Sequence, residues 1–483
     1  MTPLFPYKTK FTQNLNGYEM SHETGRASWF CQHYFWANQF ATADSNWPLP
    51  ANLANICRNH IVKTYFVVNS TEAFDRALER FLNDGSLPDK LEKYTTDITI
   101  ETLKEIKDVE FGNLSNEEIA RIVVFYFGQY NKIMRTAGTC RFLDRALIPR
   151  LRTLIPNDSN PDETVATASI PFKPTLTVNE ELAILTTAAK IDRKEISGND
   201  IEVSIDEICR DFGFGILGYF DEKPRERSYY EERLKEILGK GARAELEAYN
   251  DKIKSEISHR ESLKERVDEM GKKIISVASW ASYIKDYFKS STNKIQYYGE
   301  AMFSEIAKRL KIDVSIKDLH PDEMVALLLG ESVDLDKVRK RAEKSIVMAF
   351  DGVVHVLESD DADLFERKYL TFENRGKKEF KGRVASKGHA KGMAKVVLGG
   401  ADFHKLEQGN ILVVANTSPD FVPIMRKAAA IVAEEGGLTS HVSVVSREFG
   451  IPCVVGISHI TDFIKDGDVV EVDAERGIVK ILK

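Results

Sequence analysis

The spacing of apolar positions changes character along the chain, and each change predicts a different architecture. Leu246, Tyr249, Ile253 and Ile257 fall three or four apart, and the series resumes with Leu263, Val267, Met270, Ile274 and Val277. That spacing lays one apolar stripe along each helix and leaves Lys, Arg and Glu on the other faces. Further helices are expected at 119–134, 180–190, 300–310 and 321–329. Pro321 suits a first helical position, with Asp322 and Glu323 in the first turn. The run Val353-Val354-His355-Val356 reads as a packed helix segment, and the carboxylates around Asp360, Asp361 and Asp363 as a solvated connector.

From residue 382 the pattern shortens. Strand-like runs at 382–385, 394–398, 411–415, 430–433 and 453–455 alternate with short helical ones. The segments 468–473 and 478–482 flank a polar Ala-Glu-Arg-Gly turn and predict a β-hairpin. The expected fold is therefore multidomain: a mainly α-helical N-terminal region followed by a C-terminal α/β domain. A stretch rich in Pro, Asn, Asp and Thr at 157–174 suggests a boundary. The division expected is a mixed, mainly helical domain at 1–160, a helical domain at 161–370, a linker at 371–381 and the α/β domain at 382–483. Within the first, Trp29, His33 and Trp36 fall at helical spacing in an aromatic segment. Packed core is the plainer account of that stripe; a ring-lined pocket is the sharper one.

Composition narrows the function classes. At 483 residues, with 43% apolar and 29% charged positions, the chain has the make-up of an ordinary globular protein, not a disordered, collagen-like or disulfide-scaffold one. Acidic residues outnumber basic ones 74 to 67, for a formal charge of −7, so no nucleic-acid partner is expected. The longest apolar runs fall far short of a membrane span, so no membrane partner is expected either. Cys31, Cys57, Cys140, Cys209 and Cys453 are scattered and form no C-x-x-C pair, which disfavours a disulfide framework and a cysteine zinc site. Free thiols and the lack of a visible signal peptide point to the cytoplasm.

The chemistry concentrates in one segment. An apolar strand at 430–433 ends in two acids, then Gly436, Gly437, Leu438, Thr439, Ser440 and His441, and a helix is expected to follow until Gly450 and Pro452 stop it. Thr439 or Ser440 can cap that helix. His441 then sits at or near a helix N-terminus, where unpaired amides and the positive dipole end favour an anion. Glycines beside it let another surface approach closely. A neutral imidazole nitrogen there is a competent nucleophile near pH 7. On the glycine-histidine pair alone, a histidine that merely caps a turn is the commoner outcome.

The surrounding residues change that balance. Ser418-Pro419-Asp420-Phe421, Gly436-Gly437-Leu438-Thr439-Ser440-His441 and Ser446-Arg447-Glu448-Phe449-Gly450-Ile451-Pro452 occur in order, behind Gly382-Arg383-Val384 and Gly388-His389-Ala390-Lys391-Gly392. Over roughly 380–483 this resembles the swivelling phosphohistidine (mobile) domain of the phosphoenolpyruvate-utilising enzymes, whose members include phosphoenolpyruvate synthase, pyruvate phosphate dikinase and rifampin phosphotransferase. The resemblance implies that His441 is the phosphorylated, catalytic histidine. Gly436, Gly437, Thr439 and Ser440 would support the phosphate, and Thr439 is also a candidate regulatory position. His389, His404 and His459 read as exposed, and Arg447 and Lys427 as surface-pairing residues.

No nucleotide-binding glycine loop is visible in the first 370 or so residues; Gly239-Lys240-Gly241 is too short for one. The implied donor, ATP or phosphoenolpyruvate with Mg²⁺, is therefore expected on a partner in trans such as an ATP-grasp protein. A small-molecule acceptor of unknown identity is expected on the helical region. The function implied is a phosphotransferase component. A non-catalytic phosphocarrier or regulatory binding protein that retains the domain is the alternative.

Overall fold

A computed structural model describes residues 8–9, 20–26, 53–58, 61–67, 71–158, 160–216, 224–350, 353–369, 377–415, 417, 421–434, 441–457 and 459–482. Two helices form the axis of the first part. Asn116–Arg152 opens on a capping box: the Ser115 hydroxyl accepts the Glu118 amide, and the Glu118 carboxylate accepts the Ser115 amide. Glu269–Leu310 opens on Asp268, whose carboxylate accepts the Gly271 amide at 2.8 Å. The sequence resolved only fragments of each: 119–134 of the first, and the stripe through Met270, Ile274 and Val277 with 300–310 of the second. The two helices approach closely at Gly299, where a Cβ would lie 2.8 Å from the Tyr126 ring. Beside that contact Phe303 packs edge-on to Tyr126, at 5.6 Å between centroids.

The apolar core around this pair gathers residues from Phe74 to Ala168 and from Leu263 to Val356. The boundary expected near residue 160 thus runs through one shared core, and part of the expected boundary loop is the helix Pro161–Ala168, with Ala168 fully buried. A second, smaller core unites the helices Leu176–Asp192, Asn199–Phe212, Arg227–Lys240 and Ala242–Glu265. Of the predicted stripe on the last of these, Leu263 is buried, whereas Ile257 lies exposed.

The first part is not helix alone. Strands β1 (Met20–Arg26), β2 (Leu53–Arg58), β3 (Ile61–Val67), β4 (Lys344–Phe350) and β5 (Val353–Glu358) form an antiparallel sheet in the order β1-β3-β2-β4-β5. His355, expected on a helix, is a buried residue of β5. The expected connector at 359–363 instead begins the helix Ser359–Tyr369, and Lys344 pairs with Asp363 there. The aromatic segment at 29–40 lies outside the described residues.

The C-terminal part is a second sheet. Its strands are β6 (Glu379–Lys381), β7 (Arg383–Ser386), β8 (His389–Val397), β9 (Ile411–Val414), β10 (Ala430–Ala433), β11 (Cys453–Val455), β12 (Val469–Asp473) and β13 (Ile478–Ile481). The order is β6-β13-β12-β8-β9-β10-β11-β7. The last residues of the expected linker are β6, paired with β13. Strands β8 to β11 run parallel, and β9, β10 and β11 are buried throughout, as strands covered on both faces must be. Gly388 permits the turn into β8: its φ is +136°, and a Cβ would stand 2.7 Å from Pro452.

Candidate functional site

His441 is the first residue of the helix His441–Phe449, which follows β10 after the segment 435–440. The helix is fixed by its inner face. Val442 and Val445 are buried against the sheet, and the buried Ser446 satisfies its hydroxyl by donating to the Val442 carbonyl at 2.6 Å. Gly450, with φ +65°, ends it as expected. Beneath lies Cys453, whose thiol burial pushes up to about 11, against the lowering influence of Ser446 and Arg447. Burial thus disfavours the thiolate form of Cys453.

Because β9, β10 and β11 are parallel, their carboxyl ends face one edge, and the segments after Val414, Ala433 and Val455 share it. That edge is where open α/β sheets bind ligands. The backbone of His441 therefore stands at a helix N-terminus next to the carboxyl end of a central strand, an arrangement able to hold an anion. Gly436, Gly437, Thr439 and Ser440, and the His441 side chain, lie outside the described residues.

One feature of this edge escaped the sequence reading. Glu434, the residue after β10, is 4% exposed. Its amide donates to the Val414 carbonyl at 3.0 Å, and its carboxylate accepts the Thr461 amide at 2.9 Å and the Thr461 hydroxyl. His459, expected at the surface, is buried too, with Nδ1 3.4 Å from the Asp462 carboxylate and a φ of +63° at the start of the helix Ile460–Phe463. An acid directly after an all-apolar strand was the available signal for Glu434.

The other candidates fall where surface roles put them. His389 is exposed on β8, not in a turn, with Nε2 3.2 Å from the Glu471 carboxylate. Arg447 is exposed, and its guanidinium donates to the Ala385 carbonyl at 3.4 Å; His404 and Lys427 are exposed. In the helical part, Asp318 and Glu323 gather around the fully buried Arg341. That guanidinium donates to the Glu323 carboxylate at 2.5 and 3.2 Å and to the Asp318 carbonyl at 3.3 Å. The Arg341 side chain is fully enclosed in this cluster. Among the described residues no three His, Cys, Asp or Glu side chains gather as a metal-holding group, and no helix is long and apolar enough to cross a membrane.

Comparison with known proteins gives this part of the chain a likeness. Residues 406–477 match the family model of the PEP-utilising enzyme mobile domain. The C-terminal unit matches that mobile domain. A probable phosphoenolpyruvate synthase of Archaeoglobus fulgidus is 51% identical over 107 residues, which is 22% of this chain and 14% of that protein. The phosphoenolpyruvate synthase of Pyrococcus furiosus is 41% identical over 133 residues, 27% of this chain and 16% of that protein. Chondramide synthase cmdD of Chondromyces crocatus is 48% identical over 105 residues, 3% of its own length. The chain thus spans less than a fifth of each of these relatives. A crystal structure of aconitase X from Thermococcus kodakaraensis is similar over 22% of this chain and 98% of its own, at 23% identity and a TM-score of 0.18, too low to carry weight. The likeness to the phosphoenolpyruvate synthases lies in the C-terminal region, and the residues matched by the family model include His441.

Proposed function

We propose that the chain is the phosphoryl-carrying component of a phosphotransferase, with His441 as the carrier. The observation that supports it most is the placement of His441 at the first position of a helix, at the carboxyl edge of parallel strands, inside the segment that matches the mobile domain. In the reaction proposed, a neutral imidazole nitrogen of His441 attacks a donor phosphorus. A P–N bond forms as the P–O bond to the leaving group breaks, and the acceptor's nucleophile later takes the phosphoryl group and frees the imidazole. The helix N-terminus favours the neutral imidazole before transfer and the phosphate after it. The donor, ATP or phosphoenolpyruvate with Mg²⁺, is bound by a partner in trans such as an ATP-grasp protein, and Mg²⁺ neutralises its phosphates. The acceptor is a small molecule held by the helical part.

The test is direct. Incubating the full chain with labelled ATP or phosphoenolpyruvate, with and without cell extract, should give acid-labile, alkali-stable label that His441→Ala abolishes. Label that survives His441→Ala would overturn the assignment. No label with either donor would favour a binding or regulatory protein that keeps the domain without the chemistry.

A further inference from the structure

We propose that Glu92, Phe172 and Tyr283 form a binding site for the primary ammonium group of a small organic cation, with Lys173 as its internal occupant. The site stands whether or not His441 carries phosphate. The Lys173 ammonium lies 2.9 and 3.0 Å from the two Glu92 carboxylate oxygens. It also lies 5.1 Å from the centre of the Phe172 ring and 5.3 Å from that of Tyr283. Both distances are within the reach of a cation–π attraction, about 6 Å. The two rings meet nearly edge to face, 5.0 Å apart and 73° between planes, so their faces do not compete for one side of the cation. A carboxylate set beside two such rings is the chemistry that holds an ammonium.

An exposed lysine–glutamate pair is ordinarily two loose side chains and adds little. Here the receiving groups are fixed by others. Tyr283, buried on the helix Glu269–Leu310, donates its hydroxyl at 3.0 Å to Glu92 on the helix Leu87–Ile106. Burial, and the bond to Glu92 after it, raise that hydroxyl well above the usual tyrosine range, so it remains a donor. One turn on, Tyr287 stacks on Tyr283 at 5.8 Å between centroids, and its hydroxyl shares a hydrogen bond of 2.6 Å with Thr96. The backbone just before Phe172 is pinned as well. The buried Arg260 guanidinium donates to the Ile170 and Pro171 carbonyls at 3.0 and 2.8 Å, and the Ser279 hydroxyl donates to the Ile170 carbonyl at 2.7 Å. Lys173 differs from these neighbours: its side chain is 47% exposed, on a long stem that gains rotamer freedom on release. It can leave while the carboxylate and rings stay where their own bonds hold them. Because both Glu92 oxygens accept from the ammonium, the replacement must bring N–H donors. A primary alkylammonium has them, and a quaternary one does not.

Isothermal titration calorimetry of the full chain with butylammonium, which copies the end of a lysine side chain, tests the site. In the unmodified chain Lys173 competes as a tethered ligand, so Lys173→Ala should bind butylammonium about tenfold more tightly or better. Added to Lys173→Ala, Glu92→Gln should weaken binding by about tenfold, the worth of one charge-assisted hydrogen bond. Phe172→Leu, at an exposed ring, should weaken it by about threefold or more through the lost cation–π contact. Neutral n-butanol should not bind, and tetramethylammonium should bind more weakly than butylammonium. Melting followed by circular dichroism checks that each variant is folded; should Lys173→Ala melt early, Lys173→Gln takes its place with the same expectation. No binding of butylammonium to the folded Lys173 variant would leave an ordinary ion pair and overturn the proposal. Equal affinity with and without Lys173, or binding indifferent to Glu92→Gln, would put the ligand elsewhere and overturn it too. Butanol binding as tightly as butylammonium would reduce the site to an apolar patch, and tetramethylammonium binding as tightly would refute the primary-ammonium class.

Discussion

Acidification should destabilise the helical part through one residue, His320. It caps the helix Pro321–Leu328: its Nδ1 accepts the Asp322 amide at 3.3 Å, and its own amide donates to the Glu323 carboxylate at 2.7 Å. The ring is 1% exposed. Burial first, and the nearby Arg341 guanidinium second, hold its pKa down at about 3. The Asp322 carboxylate, 3.7 Å from Nδ1, pulls the other way, but an Nδ1 that already accepts a hydrogen bond has no room for a proton. The sign follows from linkage. With a folded pKa below the unfolded one of about 6.5, the unfolded chain binds the proton first. The stabilisation is complete above pH 6.5 and is lost as the pH falls toward about 3. At about 1.4 kcal/mol per pH unit, the step from 6.5 to 5 costs about 2 kcal/mol. His320→Asn keeps an acceptor at the cap and removes the titrating group. Urea unfolding at pH 7 and pH 5 should show the unmodified chain losing about 2 kcal/mol more than the variant. Glu358, whose carboxyl burial raises, is present in both proteins and cancels in the difference. Equal losses in the two proteins would refute the reasoning.

Two further outcomes follow from the packing. Arg341→Met removes the buried guanidinium that faces the Glu323 and Glu358 carboxylates, and breaking such a pair costs about 3 kcal/mol; calorimetry should show the midpoint of the helical part lowered by roughly 10 °C. Gly388→Ala forces an L-residue to φ +136° and puts a Cβ 2.7 Å from Pro452, so denaturant unfolding should show the mobile domain weakened by about 2 kcal/mol or more, with the helical part unmoved.

Elements whose signal is local were legible in the sequence. The helix Leu176–Asp192, strands β9, β10 and β11 and the hairpin β12–β13 lie within a few residues of where periodicity put them, because an amphipathic stripe or an apolar run between turn residues is complete in itself. Pairing across sequence distance was not. Strand β2 meets β4 with Leu53 opposite Ala349, so the antiparallel sheet is closed by segments about three hundred residues apart, and neither strand announces the other. His355 was misplaced for the same reason. A four-residue apolar run cannot be told from a helix turn until its partner strand is known.

The site divides along the same line. The histidine, its helix and the strand before it were legible because they are contiguous. The residues that hold them were not, because they are polar groups whose meaning depends on burial. Glu434 and His320 look like surface residues in a sequence, and so does Arg341; all three are enclosed, Glu434 and Arg341 with hydrogen-bond partners from a neighbouring element and His320 with one from the helix it caps. A buried polar group needs specific partners, so it narrows the allowed arrangements more sharply than an apolar one of equal size. Such residues therefore collect where an arrangement must be unique. Arg341 joins the helix Leu335–Glu343 to the cap of Pro321–Leu328, and Glu434 joins the strand before His441 to the helix after β11. The first needs uniqueness only for the fold. The second lies seven residues before the histidine proposed to carry the phosphoryl group, at the carboxyl end of the strand that precedes it.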